Sequence, residues 1–397
     1  MNILVLCDRY PYPLENGQNL RIFHYVSQLQ AKHNFDLICY GAAPPPARIT
    51  GLFRRIETFT KPPKRKARGW RRLAEAFSID KMIPRSLEVH DYLADVVPGR
   101  DYDLIWISGW GMIVNIPESF DIPLLADVID DGVLEYWNDL SSVRSPVQLA
   151  KILKLMGMNY FFERKYFRNA DHCLFVSEVD AAMFQRICPR TSVSVIHNGV
   201  DPEFFKPAGV EVSPASLVFE GKIGFKPNAD GIRYFCATIF PLVLKAEPEA
   251  RLTIVGKDPT PEVLALASTS VEVTGYVDDV RPYVDRAAVF VCPLRKGAGI
   301  KNKLLQAWSM AKPVVATTNS VGGLLIRAEE NIMIRDKPQE FADAVVRLLR
   351  DEQLRGHIGA AARQTILDSY SWRAKASMLH ELFNDMVRVR KRGNTRA

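Results

Sequence analysis

The sequence predicts an α/β protein made of two doubly wound, parallel-sheet domains, and three observations predict it. Short β-type runs alternate with helical patterns along most of the 397 residues, as they do in chains of βα units. The alternation stops in the Pro-rich, aperiodic stretch Asp201–Pro214 and then restarts, which marks a linker. The length also exceeds the roughly 150 residues of a usual single domain. The expected division is a first domain over 1–200, a linker over 201–214, a second domain over 215–370 and a terminal helix with a basic tail over 371–397.

In the first half the strand candidates are Ile3–Cys7, Phe35–Tyr40, Asp103–Ser108, Pro123–Val128, Cys173–Val176 and Val193–Ile196. Each is a short apolar, β-branched run of the kind a parallel sheet buries on both faces. Helical periodicity fills Asn19–Lys32 and Gln148–Asn169. The second half offers Leu217–Glu220, Leu252–Val255, Val271–Thr274, Val289–Cys292 and Pro313–Thr317 as strands. It ends in helices over Pro338–Leu349, Glu352–Leu367 and Ser371–Val389. Domains of this kind bind ligands at the carboxyl ends of their strands, so function is expected in a cleft between the two.

Composition removes other classes. With 47% hydrophobic and 24% charged residues, the chain is neither disordered nor a disulfide scaffold. No apolar run is long enough to span a bilayer, and Met1 leads straight into strand-like sequence without a basic leader, so a cytoplasmic protein is expected. The six cysteines lie far apart, most of them inside apolar runs, where a reduced thiol packs as a small hydrophobe and no metal set is spelled out. The net charge of +7 is concentrated in two places. Residues 61–77 hold seven basic side chains against Glu75, interleaved with Trp70, Leu73 and Phe77, and the tail from Arg388 adds five more. A solvated linker and tail would have this composition. So would a contact with an anionic membrane surface at the inner face of the cytoplasmic membrane. No nucleic-acid reading motif accompanies the charge, so nucleic acid is not an expected partner.

Several motifs carry candidate chemistry. After the first strand, Asn16-Gly17 opens a helix whose free N–H groups suit a phosphate, with Arg21 one turn on. A G-x-G-x-x-G fingerprint is missing there, which argues against a nicotinamide or flavin dehydrogenase. Asp127, Asp130 and Asp131 lie at a strand end, where they can bind acceptor hydroxyls, or a metal if one is used, or cap a helix. In Phe219-Glu-Gly221-Lys222-Ile-Gly-Phe-Lys226-Pro-Asn228, two cations stand just past a strand end, placed to neutralise a diphosphate or simply to face solvent. Gly256 and Gly275 close two further strands and permit close backbone approach to a ring, and Tyr276 can stack on that ring or cap the core. Finally Gly297-Ala298-Gly299-Ile300-Lys301-Asn302-Lys303 joins a strand to a helix start, a geometry that makes an anion site from backbone amides, with two lysines adding charge.

These motifs together resemble one family over nearly the whole chain. Val195-Ile-His197-Asn-Gly-Val-Asp201 is similar to the V-I-P-N-G-V-D signature of retaining glycosyltransferases of family 4. The Phe219–Asp230 turn, and Gly299–Lys303 continuing through Gln306-Ala-Trp-Ser-Met-Ala-Lys-Pro-Val-Val, look like the PEP-CTERM and exopolysaccharide-associated branch, and Ser371-Trp372 resembles the motif before the family's terminal helix. The resemblance implies a GT-B fold, with two Rossmann-like domains facing a cleft and a C-terminal helix crossing back. It implies a metal-independent enzyme without a cofactor that moves a sugar from a nucleoside diphosphate sugar to a glycan or polyprenyl-linked acceptor in cell-surface polysaccharide synthesis.

In that reading Lys222 and Lys226 are catalytic. The donor is held by Gly17, Gly221, Asn228, Gly256, Gly275, Tyr276, Gly297, Gly299, Ile300, Lys301, Asn302, Lys303 and Gln306. Arg21, Asp127 and Asp130 lie on the acceptor side. The family's paired glutamates are here Ala298 and Gln306, and its amino-terminal histidine has no counterpart near Ser108-Gly-Trp110. A non-catalytic sugar-nucleotide-binding subunit is therefore an alternative, as is another GT-B enzyme such as a sugar-nucleotide epimerase.

Overall fold

A computed structural model describes residues 1–14, 16–42, 44–63, 79, 82–117, 122–140, 143, 145–296 and 299–394. The chain forms two units, one of Met1–His197 with Lys375–Ala397 and the other of Asn198–Ala374. The expected α/β class is what forms. Seven strands build the sheet of unit 1: β1 Asn2–Cys7, β2 Asn34–Tyr40, β3 Arg55–Phe59, β4 Leu104–Ser108, β5 Leu124–Ile129, β6 His172–Phe175 and β7 Ser192–Val195. Their order is β3-β2-β1-β4-β5-β6-β7, and every pairing is parallel. Unit 2 has β8 Ser213–Glu220, β9 Arg251–Val255, β10 Val271–Gly275, β11 Ala287–Cys292, β12 Val314–Ala316 and β13 Met333–Ile334. These run β10-β9-β8-β11-β12-β13, again all parallel.

Both orders reverse direction beside the first strand of their unit, between β1 and β4 and between β8 and β11. Such a switch point opens a crevice at the carboxyl ends of the strands, because the connecting helices leave to opposite faces there. Helices cover both faces of each sheet, so the central strands are buried throughout: Ile3–Cys7 and Ala287–Cys292 are almost fully hidden. Five of the six cysteines are packed into these cores and Cys236 is half-buried.

Two strands escaped the sequence reading, and the linker proved shorter than expected. β3 is a half-buried edge with alternating charge (Arg55, Glu57) and lacks the apolar run that marks a central strand, while β13 has two residues. Ser213, at the end of the expected linker, already opens β8 and pairs with Ala287, and the units divide after His197 rather than after residue 200.

Asn198-Gly199 carries the chain into unit 2. A side chain on Gly199 would meet the Trp372 ring at 2.8 Å, and Val200 and Trp372 exchange backbone hydrogen bonds with Tyr370 and Val200 at 2.8 and 3.1 Å. The two motifs at either end of unit 2 therefore lock each other. Helix Trp372–Asn394 begins at that lock and from Lys375 onward packs into unit 1. There Phe383 is buried edge-on against Trp106 with centroids 5.8 Å apart. His380 hydrogen-bonds His33 at 2.7 Å. Burial, followed by the neighbouring amino terminus and His380, pushes the His33 imidazole down to about 4, so that ring is neutral at neutral pH.

Candidate functional site

In unit 2 the carboxyl edge of the sheet is shaped by glycine. β8, β9 and β10 leave the sheet through Gly221, Gly256 and Gly275, with φ of +145°, +141° and +69°, values that side-chain-bearing residues avoid. The strand exits are tied to one another: Gly221 N–H donates to Val255 at 3.0 Å, Gly256 N–H to Gly275 at 3.1 Å, and Ile223 N–H to Lys257 at 2.9 Å. A Cβ on Gly256 would lie 1.7 Å from the Gly221 carbonyl oxygen, so only glycine fits. The result is a smooth backbone floor.

Cations rim that floor. Lys222 is 62% exposed, with Asp258 4.0 Å away, a separation and exposure at which an ion pair contributes little. Lys226 is exposed at the first turn of helix Lys226–Tyr234. Asn228 is buried, and its amide donates to the Lys222 carbonyl at 2.8 Å, fixing the turn that carries both lysines. Tyr276, beside Gly275, is 70% exposed and so does not cap the core.

The opposite flank follows β11. Gly297 and Ala298 lie outside the described residues, but Gly299 has φ +67°, and helix Asn302–Ser309 starts at Lys301 with no side chain capping its first N–H groups. Ile300 and Gln306 are half-buried and Asn302 is exposed.

Two lysines of this flank are placed differently from expectation. Lys303 was expected to present charge to a diphosphate. It turns inward instead, donating to the Asn228 carbonyl oxygen at 2.9 Å with its ammonium 4.1 Å from the Phe219 ring centroid. Burial depresses its basicity, and the nearby buried Glu220, held above the usual carboxylate range by the same burial, partly opposes this. Lys303 thus braces the floor from beneath. Lys301 donates to the Gly299 carbonyl at 2.8 Å, so its charge is held on its own turn.

In unit 1 a cavity of about 530 Å³ lies at the carboxyl ends of β1, β4 and β5. Gly17, Gln18, Gly109, Trp110, Asp130 and Glu135 are among its lining residues. Gly17 begins helix Gly17–Leu29, capped by Asn16, whose side chain accepts from Asn19 N–H at 2.9 Å. Gly109 has φ +75°, and a Cβ there would press on the Gln18 amide. Ile129 at the end of β5 has φ +76°. A β-branched residue in that region costs on the order of 1–3 kcal/mol, a strain that tends to collect at working sites. Here it re-aims the chain just before Asp130. Loss of water around the Asp130 carboxylate, then repulsion from Asp180 and Glu135, pushes its pKa up to about 6. Nothing in the local sequence signals the Ile129 strain.

Arg21 and Asp127, expected on the acceptor side, are not open to a ligand. Both side chains are fully buried, and Arg21 grips Asp127 through two hydrogen bonds of 3.0 and 3.1 Å while donating to the Ile196 carbonyl at 2.8 Å. They tie helix Gly17–Leu29 to β5 and to the end of β7. Asp131 serves as a helix cap, accepting from Leu134 N–H at 2.7 Å, which settles that residue's two readings. His197 is likewise structural, bonded to the Val176 carbonyl at 2.6 Å and lying 3.1 Å from Glu178.

Behind the cavity wall, Glu163 is fully buried and accepts from Gly132 N–H at 3.2 Å. Its second carboxyl oxygen and that of Asp131 have no hydrogen-bond partner among the described residues. Burial, then repulsion from Asp131, pushes Glu163 up to about 9. The unfolded chain ionises this group near its ordinary value and the folded chain does not, so its contribution to stability is lost as pH rises between those values. Glu163→Gln, which cannot ionise, should therefore raise stability at pH 8 by about 4 kcal/mol. In thermal melts the gain should shrink toward pH 4.5, and a gain that does not vary with pH would refute the assignment.

Residues 214–351 match the profile of the family described as Glycosyl transferases group 1. An uncharacterised 44.6 kDa protein in a cps region of Klebsiella pneumoniae is 23% identical over 371 residues, covering 87% of this chain and 90% of that one. A lipopolysaccharide core biosynthesis glycosyltransferase of Rhizobium meliloti is 28% identical over 106 residues, 26% of this chain and 31% of that one. The solved structure of Anabaena HepE in complex with UDP superposes with a TM-score of 0.64 at 14% identity, covering 97% of this chain and all of that one. The two parallel-sheet domains are those of the GT-B fold.

Proposed function

We propose that this chain, whose second unit is of the group 1 glycosyltransferase type, is a metal-independent retaining hexosyltransferase of family 4. In this reading it takes a sugar from a nucleoside diphosphate sugar, with uridine as the base, and passes it to a glycan or polyprenyl-linked acceptor during cytoplasmic synthesis of a surface polysaccharide. The observation that carries the reading is the glycine-lined edge of β8, β9 and β10 with Lys222 and Lys226 exposed on its rim. When the bond between the sugar's anomeric carbon and the diphosphate oxygen breaks, negative charge grows on the departing diphosphate. Fixed ammonium groups and the uncapped N–H groups at Asn302 are suited to stabilise that charge as it forms. Gln306 accounts for a ribose hydroxyl, and exposed Tyr276 for the base. The UDP held by the Anabaena relative supports the choice of base. The Klebsiella and Rhizobium relatives support the pathway.

A melting experiment tests the donor. A ligand that binds only the folded chain stabilises it by about 2.7 kcal/mol at a hundredfold excess over its Kd, which moves the midpoint of a chain this size by several degrees. UDP should shift it most among UDP, GDP, ADP and CMP. No shift with any of the four would remove the proposal. Ala298 and Gln306, standing where the family has glutamates, favour one second reading, a donor-binding subunit without turnover. UDP binding without hydrolysis or transfer of any UDP-sugar would establish that reading.

A further inference from the structure

Unit 1 carries an apolar and basic face that neither the donor edge nor the cavity uses. Its main element is helix Pro146–Tyr166, the 21-residue connection that precedes β6. Ile152, Asn159, Phe162 and Glu163 bury one side of it. At 100° per residue, Val147, Leu153, Lys154, Phe161, Arg164 and Lys165 fall within about 120° of arc on the other side. Along that arc Val147 is 80% exposed, Leu153 45% and Phe161 58%. Large apolar side chains aligned on a solvent-facing helix surface mark an interaction site when they occur together. The helix's single carboxylate, Glu163, lies on the buried side and is protonated at neutral pH, so the outward face bears no negative charge from its own helix.

The basic end of this face continues into a groove of about 820 Å³. Phe161, Arg164, Lys165, Arg168 and Arg190 line it around Ile187, and among the described residues no carboxylate lines it. Arg164 is steadied over the Tyr160 ring and donates to its hydroxyl at 3.0 Å. The exposed apolar residues lie toward the start of the helix and the cations gather at its end, with Phe161 where the two meet. No helix among the described residues is long and apolar enough to cross a membrane. A face that combines apolar side chains with several cations, and no acid among its described residues, fits the boundary of an anionic lipid leaflet, where acyl chains receive the former and headgroup phosphates the latter. A protein partner of matching chemistry would need an acidic rim around an apolar centre. A second copy of this face would bring like charges together.

We infer that the outward face of helix 146–166, with the groove formed by Arg164, Lys165, Arg168 and Arg190, docks unit 1 on a membrane surface rich in anionic phospholipid. The residues named here are other than residues 61–77, the segment whose composition suggested a membrane contact and most of which lies outside the described residues. The inference goes beyond the proposed transfer reaction and does not depend on it.

Vesicle sedimentation of the full chain tests it. The parent protein should partition onto vesicles of 70% phosphatidylcholine and 30% phosphatidylglycerol, be released by 0.5 M salt, and ignore pure phosphatidylcholine, as expected on the order of 1 kcal/mol per basic side chain near such a surface. Two variants separate the contributions: Arg164→Gln/Lys165→Gln/Arg168→Gln/Arg190→Gln, and Val147→Ser/Leu153→Ser/Phe161→Ser. Each should keep the parent's circular dichroism and its response to UDP while binding vesicles at least tenfold more weakly. Inorganic phosphate at 10 mM should not displace the parent. Parent-like binding by both variants, equal binding to neutral vesicles, or no binding by the parent would each overturn the inference. So would an apolar variant that changes only the sedimenting mass of the free protein, which would make the face a contact between copies.

Discussion

Lys222→Ala/Lys226→Ala should lower kcat/KM for sugar transfer by about a thousandfold while leaving the protein folded. Each ammonium group removed from a developing phosphate charge is worth about 2 kcal/mol or more, and together they supply about 4 kcal/mol, or three powers of ten. Folding is insulated because both side chains project from the rim. Surface changes of that kind move stability by about 0.5 kcal/mol or less. The arginine pair Lys222→Arg/Lys226→Arg keeps the charge and should recover most of the rate. The KM–kcat split is also informative, since losing a contact that strengthens as the leaving group departs lowers kcat. Unchanged turnover in the alanine pair would remove these lysines from the mechanism. If UDP still shifted the melting point, the donor site would survive their removal.

The second large effect is on stability. Arg21→Met should destabilise unit 1 by about 3–5 kcal/mol, because it leaves Asp127 buried without its partner. The deficit should be smaller at pH 5 than at pH 7. With Arg21 gone, burial holds the folded pKa of Asp127 above its unfolded value, so stability falls as pH rises through that interval. Arg21→Met/Asp127→Leu, which removes both charges, should recover most of the loss. Urea unfolding followed through unit 1 would show this, and an equal deficit in the single and double variants would contradict it. UDP binding, whose proposed residues lie mainly in unit 2, should survive in both.

What the sequence revealed and what it hid divide along physical lines. Central strands such as Ile3–Cys7 and Val289–Cys292 were legible because burial on both faces demands an uninterrupted apolar run. Edge strands β3 and β13 were not, since partial exposure or brevity erases that pattern. Glycines at strand ends were legible as candidates, and the structure supplies the reason for Gly256 in the carbonyl of a neighbouring strand exit. The roles of the charged residues were the least visible. Arg21 meets Asp127 across 106 positions of sequence, and Lys303 meets Asn228 across 75. No local spacing distinguishes a lysine that will face a ligand from one that will brace a turn. That difference is decided by which strand ends adjoin, and the strand order appears only once the sheet has formed.

The helix that starts in unit 2 and finishes in unit 1 also affects how the protein is made. On a ribosome the residues that place Phe383 against Trp106 emerge after all of unit 2. The nascent first unit must therefore wait, with that aromatic seat open to solvent, while the inserted unit is synthesised and can already close its own sheet. Cutting the nascent chain just before Lys375 should leave a sound second unit joined to a first unit prone to capture by chaperones.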